Sequence, residues 1–166
     1  MMKRAARQRW LLLAAVAMLL GLALWQWQYD ASRANGELTT LDPSVISHIT
    51  LALPGAATLH YEKRGDGHWW RTDGTARRVA DDDRLRDLAD IAAARALSWR
   101  PLADFEPAKI GLAPPHAVLT LDGQTLAFGI NAVTGPQRYV RVGERVALVS
   151  ARYMPRSPEI RTTELH

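Results

Sequence analysis

The sequence predicts an α+β protein: an N-terminal transmembrane helix, then a small antiparallel-sheet domain in the order β-β-β-α-β-β-β-β, with one main helix on one face. Three observations predict it. Residues Trp10 to Trp27 are apolar except for Gln26. Short alternating runs are separated by turn-forming pairs such as Pro54-Gly55, Asp122-Gly123 and Gly143-Glu144. Between the two groups of runs lies one stretch with a helical apolar stripe behind an acidic cap.

The apolar run reads as a membrane anchor. As a helix, Trp10 to Trp27 extends roughly 26 Å at about 1.5 Å per residue, enough to cross a hydrocarbon core of about 30 Å. Leu11 and Leu20 lie in the part with no polar side chain, and Trp10 at one end faces Trp25, Trp27 and Tyr29 at the other. Such amphipathic rings favour headgroup depth. Lys3, Arg4, Arg7 and Arg9 precede the run with no acid among them. By the positive-inside rule they keep residues 1–9 in the cytoplasm, with 10–28 as the span and the rest beyond it. For a bacterial chain this means the inner membrane and the periplasm. A cleaved signal sequence is the rival reading, and it exports the body equally.

The 166 residues carry a net charge of +4, and those four N-terminal residues account for all of it. The body is formally neutral, so it lacks the cationic field that nucleic acid requires. Cysteine is absent. This excludes a disulfide scaffold, a thiol nucleophile and a cysteine-ligated metal.

Residues 29–44 mix Ser, Asn, Gly, Thr, Asp and Pro and read as a linker. The domain follows over 45–153. Ile49, Leu51 and Leu53 share one face of the first strand. With Pro54-Gly55-Ala56 as the loop, Leu51 meets Leu59 and Ile49 meets Tyr61. His68 to Arg71 form a third strand. Asp81 caps the helix, Asp82 and Asp83 sit in its first turn, and Leu85, Leu88, Ile91, Ala92 and Leu97 supply its stripe. Trp99-Arg100-Pro101 is expected to stop it. Residues 104–110 suggest one more helical turn, ended by Gly111. Asp122-Gly123 favours a two-residue primed turn that sets Leu119 against Leu126 and Ala117 against Phe128. In the last hairpin Tyr139 meets Leu148 and Val140 meets Ala147, so both faces are apolar and the pair is expected to be central in the sheet or covered on both sides. Residues 154–166, with two prolines, read as a loosely held tail.

Chemistry is sparse. The five histidines show no metal-ligand spacing, although His60 and His68 fall on neighbouring predicted strands. Asp81–Asp83 suit a helix cap better than a divalent cation. No serine elbow or phosphate loop occurs. The chain therefore reads as non-enzymatic, with no cofactor and no metal. Trp69-Trp70 is the most distinctive feature. Adjacent strand residues point to opposite faces, so one indole enters the core and the other needs a helix, a loop, a sugar or a protein to cover it. Arg138 and Arg141 could extend such a surface.

Several short elements stand in a familiar order: Trp70 after the second strand, Ala80-Asp81 opening the helix, Ile110-Gly111-Leu112 with Pro115, Leu126-Ala127-Phe128-Gly129, Arg138-Tyr139-Val140, and Val146-Ala147-Leu148-Val149. On these the stretch from about 45 to 149 resembles the bacterial domain-of-unknown-function family 4340. The resemblance implies a membrane-anchored extracytoplasmic protein, in some cases an auxiliary part of gliding-type ABC transporter systems, and brings no catalytic residues. The resulting expectation is a single-span protein whose periplasmic domain binds a protein partner as an accessory subunit of an envelope or ABC-transport-type complex. The alternatives are a glycan- or lipid-binding module using Trp69 or Trp70, and a metal-dependent hydrolase using His60, His68 and Asp81–Asp83.

Overall fold

The computed structural model describes residues 16, 18–22, 36–74 and 78–158. The chain divides into two units, Met1–Ala34 and Asn35–His166. In the first unit the described residues are helical and exposed, Leu20 among them. Trp10, Leu11, Trp25, Trp27, Tyr29 and the four basic residues lie outside the described residues. Among the described residues, no helix is long and apolar enough to cross a membrane.

The second unit is an α+β domain built on one antiparallel sheet. Its strands are β1 (His48–Ala52), β2 (Leu59–Lys63), β3 (Trp69–Arg71), β4 (Arg78–Val79), β5 (Ser98–Pro101), β6 (Ala117–Leu121), β7 (Gln124–Asn131), β8 (Gln137–Val142) and β9 (Arg145–Ser150). Among its described residues one α-helix, α1 (Asp82–Asp90), falls between β4 and β5. Across the sheet the order is β4-β3-β2-β1-β6-β7-β8-β9-β5.

The hairpin registers follow from alternation and turn chemistry. Leu51 pairs with Leu59 and Ile49 with Tyr61. Leu119 pairs with Leu126 and Ala117 with Phe128. Asp122 and Gly123 have φ of 42° and 89°, the doubly positive pattern of a primed two-residue turn. Tyr139 pairs with Leu148 and Val140 with Ala147.

Both faces of the β8–β9 hairpin are covered. Val140, Ala147 and Val149 join the main core, where Leu85, Leu88 and Ala89 of α1 meet Ile49, Leu51, Leu119, Leu126 and Phe128. On the opposite face Val146 packs with Ile110 and Leu112, and Phe105 and Tyr139 lie against them edge to face at 5.8 Å. Gly111, at φ +68°, permits that return loop to press on β7, since a Cβ there would strike both the amide and the side chain of Ile130.

Five expectations need correction. The expected seven-strand order lacks β4, a two-residue strand paired with β3 ahead of the helix, and β5 after it. The helix does not continue to Trp99. It ends at Asp90, tightens into a 3-10 turn at Ile91–Ala93, and Ser98–Pro101 is the border strand β5 on β9. Leu97 is accordingly 51% exposed and outside the apolar stripe. Pro101 ends the run as a border-strand residue, where a missing N–H is tolerated. Residues 104–110 carry turns instead of a helix, after a 3-10 turn at Leu102–Asp104. The region expected as a linker belongs to the domain from Gly36 onward. The amides of Leu38 and Thr39 donate to Ala94 and Ala92, and Leu38 is buried. The tail is likewise packed as far as Pro158, with Pro155 and Pro158 buried and Met154 against the core; 159–166 lie outside the described residues.

Candidate interaction surfaces

The two tryptophans separate as strand geometry requires. Trp69 is 4% exposed in the main core, and its amide donates to Asp82 Oδ1 at 2.8 Å. It offers no surface. Trp70 lies on the other face, half-buried between Glu62 and Val79, with the Arg64 guanidinium 5.0 Å from its ring centre. Its buried indole nitrogen has no hydrogen-bond partner among the described residues.

Arg138 and Arg141 are three positions apart on β8 and so project from opposite faces. Arg138 Nη1 donates to the Gly129 carbonyl at 2.6 Å, beside the register shift between Phe128 and Asn131. Desolvation lowers its pKa. Arg141 Nε donates to the Gly143 carbonyl at 2.8 Å, and its Nη2 lies 3.5 Å from Glu144. The two arginines support hairpin ends and do not form one patch with Trp70.

The acidic run behaves as a cap. Asp81 accepts from the amides of Asp83 and Arg84. Asp82 accepts from the Trp69 amide and, at 2.6 Å, from His68 Nδ1. The Trp69 amide and then His68 hold the Asp82 carboxyl below its usual range, and the hydrogen bond to Asp82 raises the pKa of His68. Asp83 pairs with Arg86 at 2.6 Å. His60 does not join this cluster: its Nδ1 lies 3.1 Å from Thr50 Oγ1 on the other face. Among the described residues, no group of three or more His, Cys, Asp or Glu could hold a metal ion.

A second carboxylate has a structural task that turn chemistry alone did not reveal. Asp122 Oδ1 accepts from the His48 amide at 2.8 Å, and its carboxylate also takes the Ser47 amide and hydroxyl at 3.1–3.2 Å. Burial opposes its ionisation, but the His48 and Ser47 donors outweigh it and lower the pKa.

A cavity of about 590 Å³ forms a half-open groove between α1 and the segment 152–158. Leu88, Ile91 and Met154 give it apolar walls. Arg84, Asp87 and Asp90 stand on the helix side, Arg152 and Arg156 on the strap. The sequence reading missed it because the strap was expected to hang free; the two prolines that suggested looseness are the residues buried against the domain.

The fold and these surfaces define a small antiparallel α+β domain with a mixed-charge groove on its helical side. In comparison with known proteins, no family model, curated protein or solved structure matches the chain.

Proposed function

We propose that the chain is a non-enzymatic, single-pass inner-membrane protein whose domain sits in the periplasm and docks a protein partner, as an accessory subunit of an envelope or ABC-transport-type complex. Membership of family 4340 is part of the same proposal. The observation that carries it is the apolar run Trp10 to Trp27 placed directly after four basic residues and ahead of a formally neutral body. That pattern specifies an anchor with a fixed orientation. The groove beside α1 supports the docking half of the reading. A cavity of about 590 Å³ with apolar walls and charges of both signs around it suits an apolar side chain from a partner, flanked by polar contacts.

Alkaline phosphatase and green fluorescent protein fused in turn to the C-terminus test the orientation. Active phosphatase with dark fluorescent protein is the expected pair, and the reverse pair refutes the proposal. Purification in mild detergent at native abundance tests the docking. A membrane partner should accompany the wild type and be lost from an Asp87→Lys, Asp90→Lys variant; a protein that purifies alone overturns the accessory role.

A further inference from the structure

We propose that the segment following Pro158 docks on the open border of β4 as a further antiparallel strand, with Glu159 opposite Val79 and Ile160 seated in the cavity beside Pro158. The observation is the symmetry of the sheet. Its order reads alike from either end: β1–β4 and β6–β9 are each a four-stranded meander, joined through the antiparallel pair of β1 and β6. An antiparallel pair relates its two strands by a local two-fold axis. In the first half the chain leaves β4 through α1 and adds β5 to the opposite border, antiparallel to β9. In the second half it leaves β9 through the 3-10 turn Ala151–Tyr153 and passes along α1. It is held at the first turn of that helix, where Arg84 Nη1 donates to the Pro158 carbonyl at 3.5 Å. The counterpart of β5 is therefore the segment after Pro158, and its partner is β4.

The place where the strap arrives fits the same assignment. Pro158 lines a cavity of about 300 Å³ together with Tyr61, Arg71, Arg78, Ala80 and Asp81. Ala80 and Asp81 directly follow β4, and an antiparallel neighbour of β4 starts beside them. The Ala80 amide donates inward, to the Trp69 carbonyl at 2.9 Å. Alternation along the strand then turns the N–H and C=O of Val79 outward, to the open border. With Pro158 opposite Ala80, the proline's missing N–H falls where no rung is needed. Glu159 exchanges both backbone bonds with Val79, and Ile160 stands opposite Arg78. Two residues past Pro158, an extended chain presents Ile160 on the same face, roughly 6.7 Å further on. That face carries the register row Tyr61, Arg71 and Arg78, so Ile160 enters the cavity. The tether at Pro158 gives this segment an effective concentration on the order of mM, which a free strand lacks. The assignment holds whichever partner the groove beside α1 takes.

The chain has no cysteine, so a pair of introduced thiols reports one proximity alone. Facing residues that share no backbone bond lie about 4.5 Å apart at Cα, within disulfide reach. In the full-length protein in detergent micelles, under a mild oxidant, Arg78→Cys with Ile160→Cys should cross-link within one chain. It should do so about tenfold faster than Arg78→Cys with Leu165→Cys. Equal rates for the two pairs overturn the proposal, and so does a cross-link between chains, which would give the β4 border to a second copy. Amide hydrogen exchange supplies a second readout. Ile160→Asp should speed exchange at Val79 about tenfold and lower the thermal midpoint by about 4 °C. Val79 exchange that is unprotected in the wild type, or unmoved by Ile160→Asp, equally overturns the assignment. Should the cysteine pair fail to fold, the exchange comparison decides.

Discussion

Replacing Asp122 with alanine removes one carboxylate that serves three donors and leaves alanine in the left-handed turn position. The side chain is 24% exposed, so water can replace only part of what is lost. Two backbone amides, Ser47 and His48, lose their acceptor. At about 1 kcal/mol for each bond, that costs about 2 kcal/mol. Alanine at φ 42° costs about 1 kcal/mol more, because it lacks the local hydrogen bonding that eases Asp and Asn into the left-handed region. The sum is about 3 kcal/mol. With a urea slope near 2 kcal/mol/M, the midpoint should fall by about 1.5 M. Asp122→Asn keeps one acceptor oxygen and tolerates the same φ, so it should lose only about 1 kcal/mol. Urea unfolding followed by tryptophan fluorescence measures both. The sign with pH is fixed as well. The folded pKa of Asp122 is lowered. Its contribution is present above the unfolded value of 3.8 and is lost as pH falls through the folded one. The gap between wild type and Asp122→Ala should therefore shrink in acid. A midpoint shift for Asp122→Ala below about 0.3 M, or equal shifts for Ala and Asn, would refute the clamp.

Gly129→Ala places a methyl group on the Ile110 carbonyl, a backbone atom that cannot rotate away. A loss of about 2 kcal/mol, seen as a thermal midpoint lower by about 8 °C, is expected. A change under about 2 °C would show that the return loop yields. For His68 the folded pKa is raised from 6.5 by its bond to Asp82. The pair's stabilisation is complete below 6.5 and fades as pH rises through the folded value. Asp82→Asn should return the His68 titration, followed by ring-proton NMR, to the ordinary range; an unmoved titration means the contact does not persist in solution.

Alternation and turn chemistry made the hairpins readable. Asp122-Gly123 and Gly143-Glu144 each set a register that every flanking apolar residue then agreed with, and a slip by one would have exposed Leu119 and Phe128. Asp81 was readable for the same local reason. Non-local pairing was not. Trp99 and Pro101 carry helix-stopping signals, yet the segment gains more by pairing with β9. Leu38 looks like an apolar residue in a polar stretch until the Ala94 carbonyl accepts its amide and the Ala92 carbonyl that of Thr39. Of the candidate surface residues, Trp70 was legible because two adjacent indoles cannot share a face. Arg138 and Arg141 were grouped by closeness in sequence, although an odd spacing on a strand sends them apart.

The borders of the sheet carry one more consequence. A foreign strand can join a sheet only where a run of amides and carbonyls stands open. One border here is β4, two residues long, and the other is β5, four residues ending in proline. Neither gives an incoming chain enough rungs to climb, so a nine-stranded sheet can exist at high local concentration without growing sideways into a ribbon.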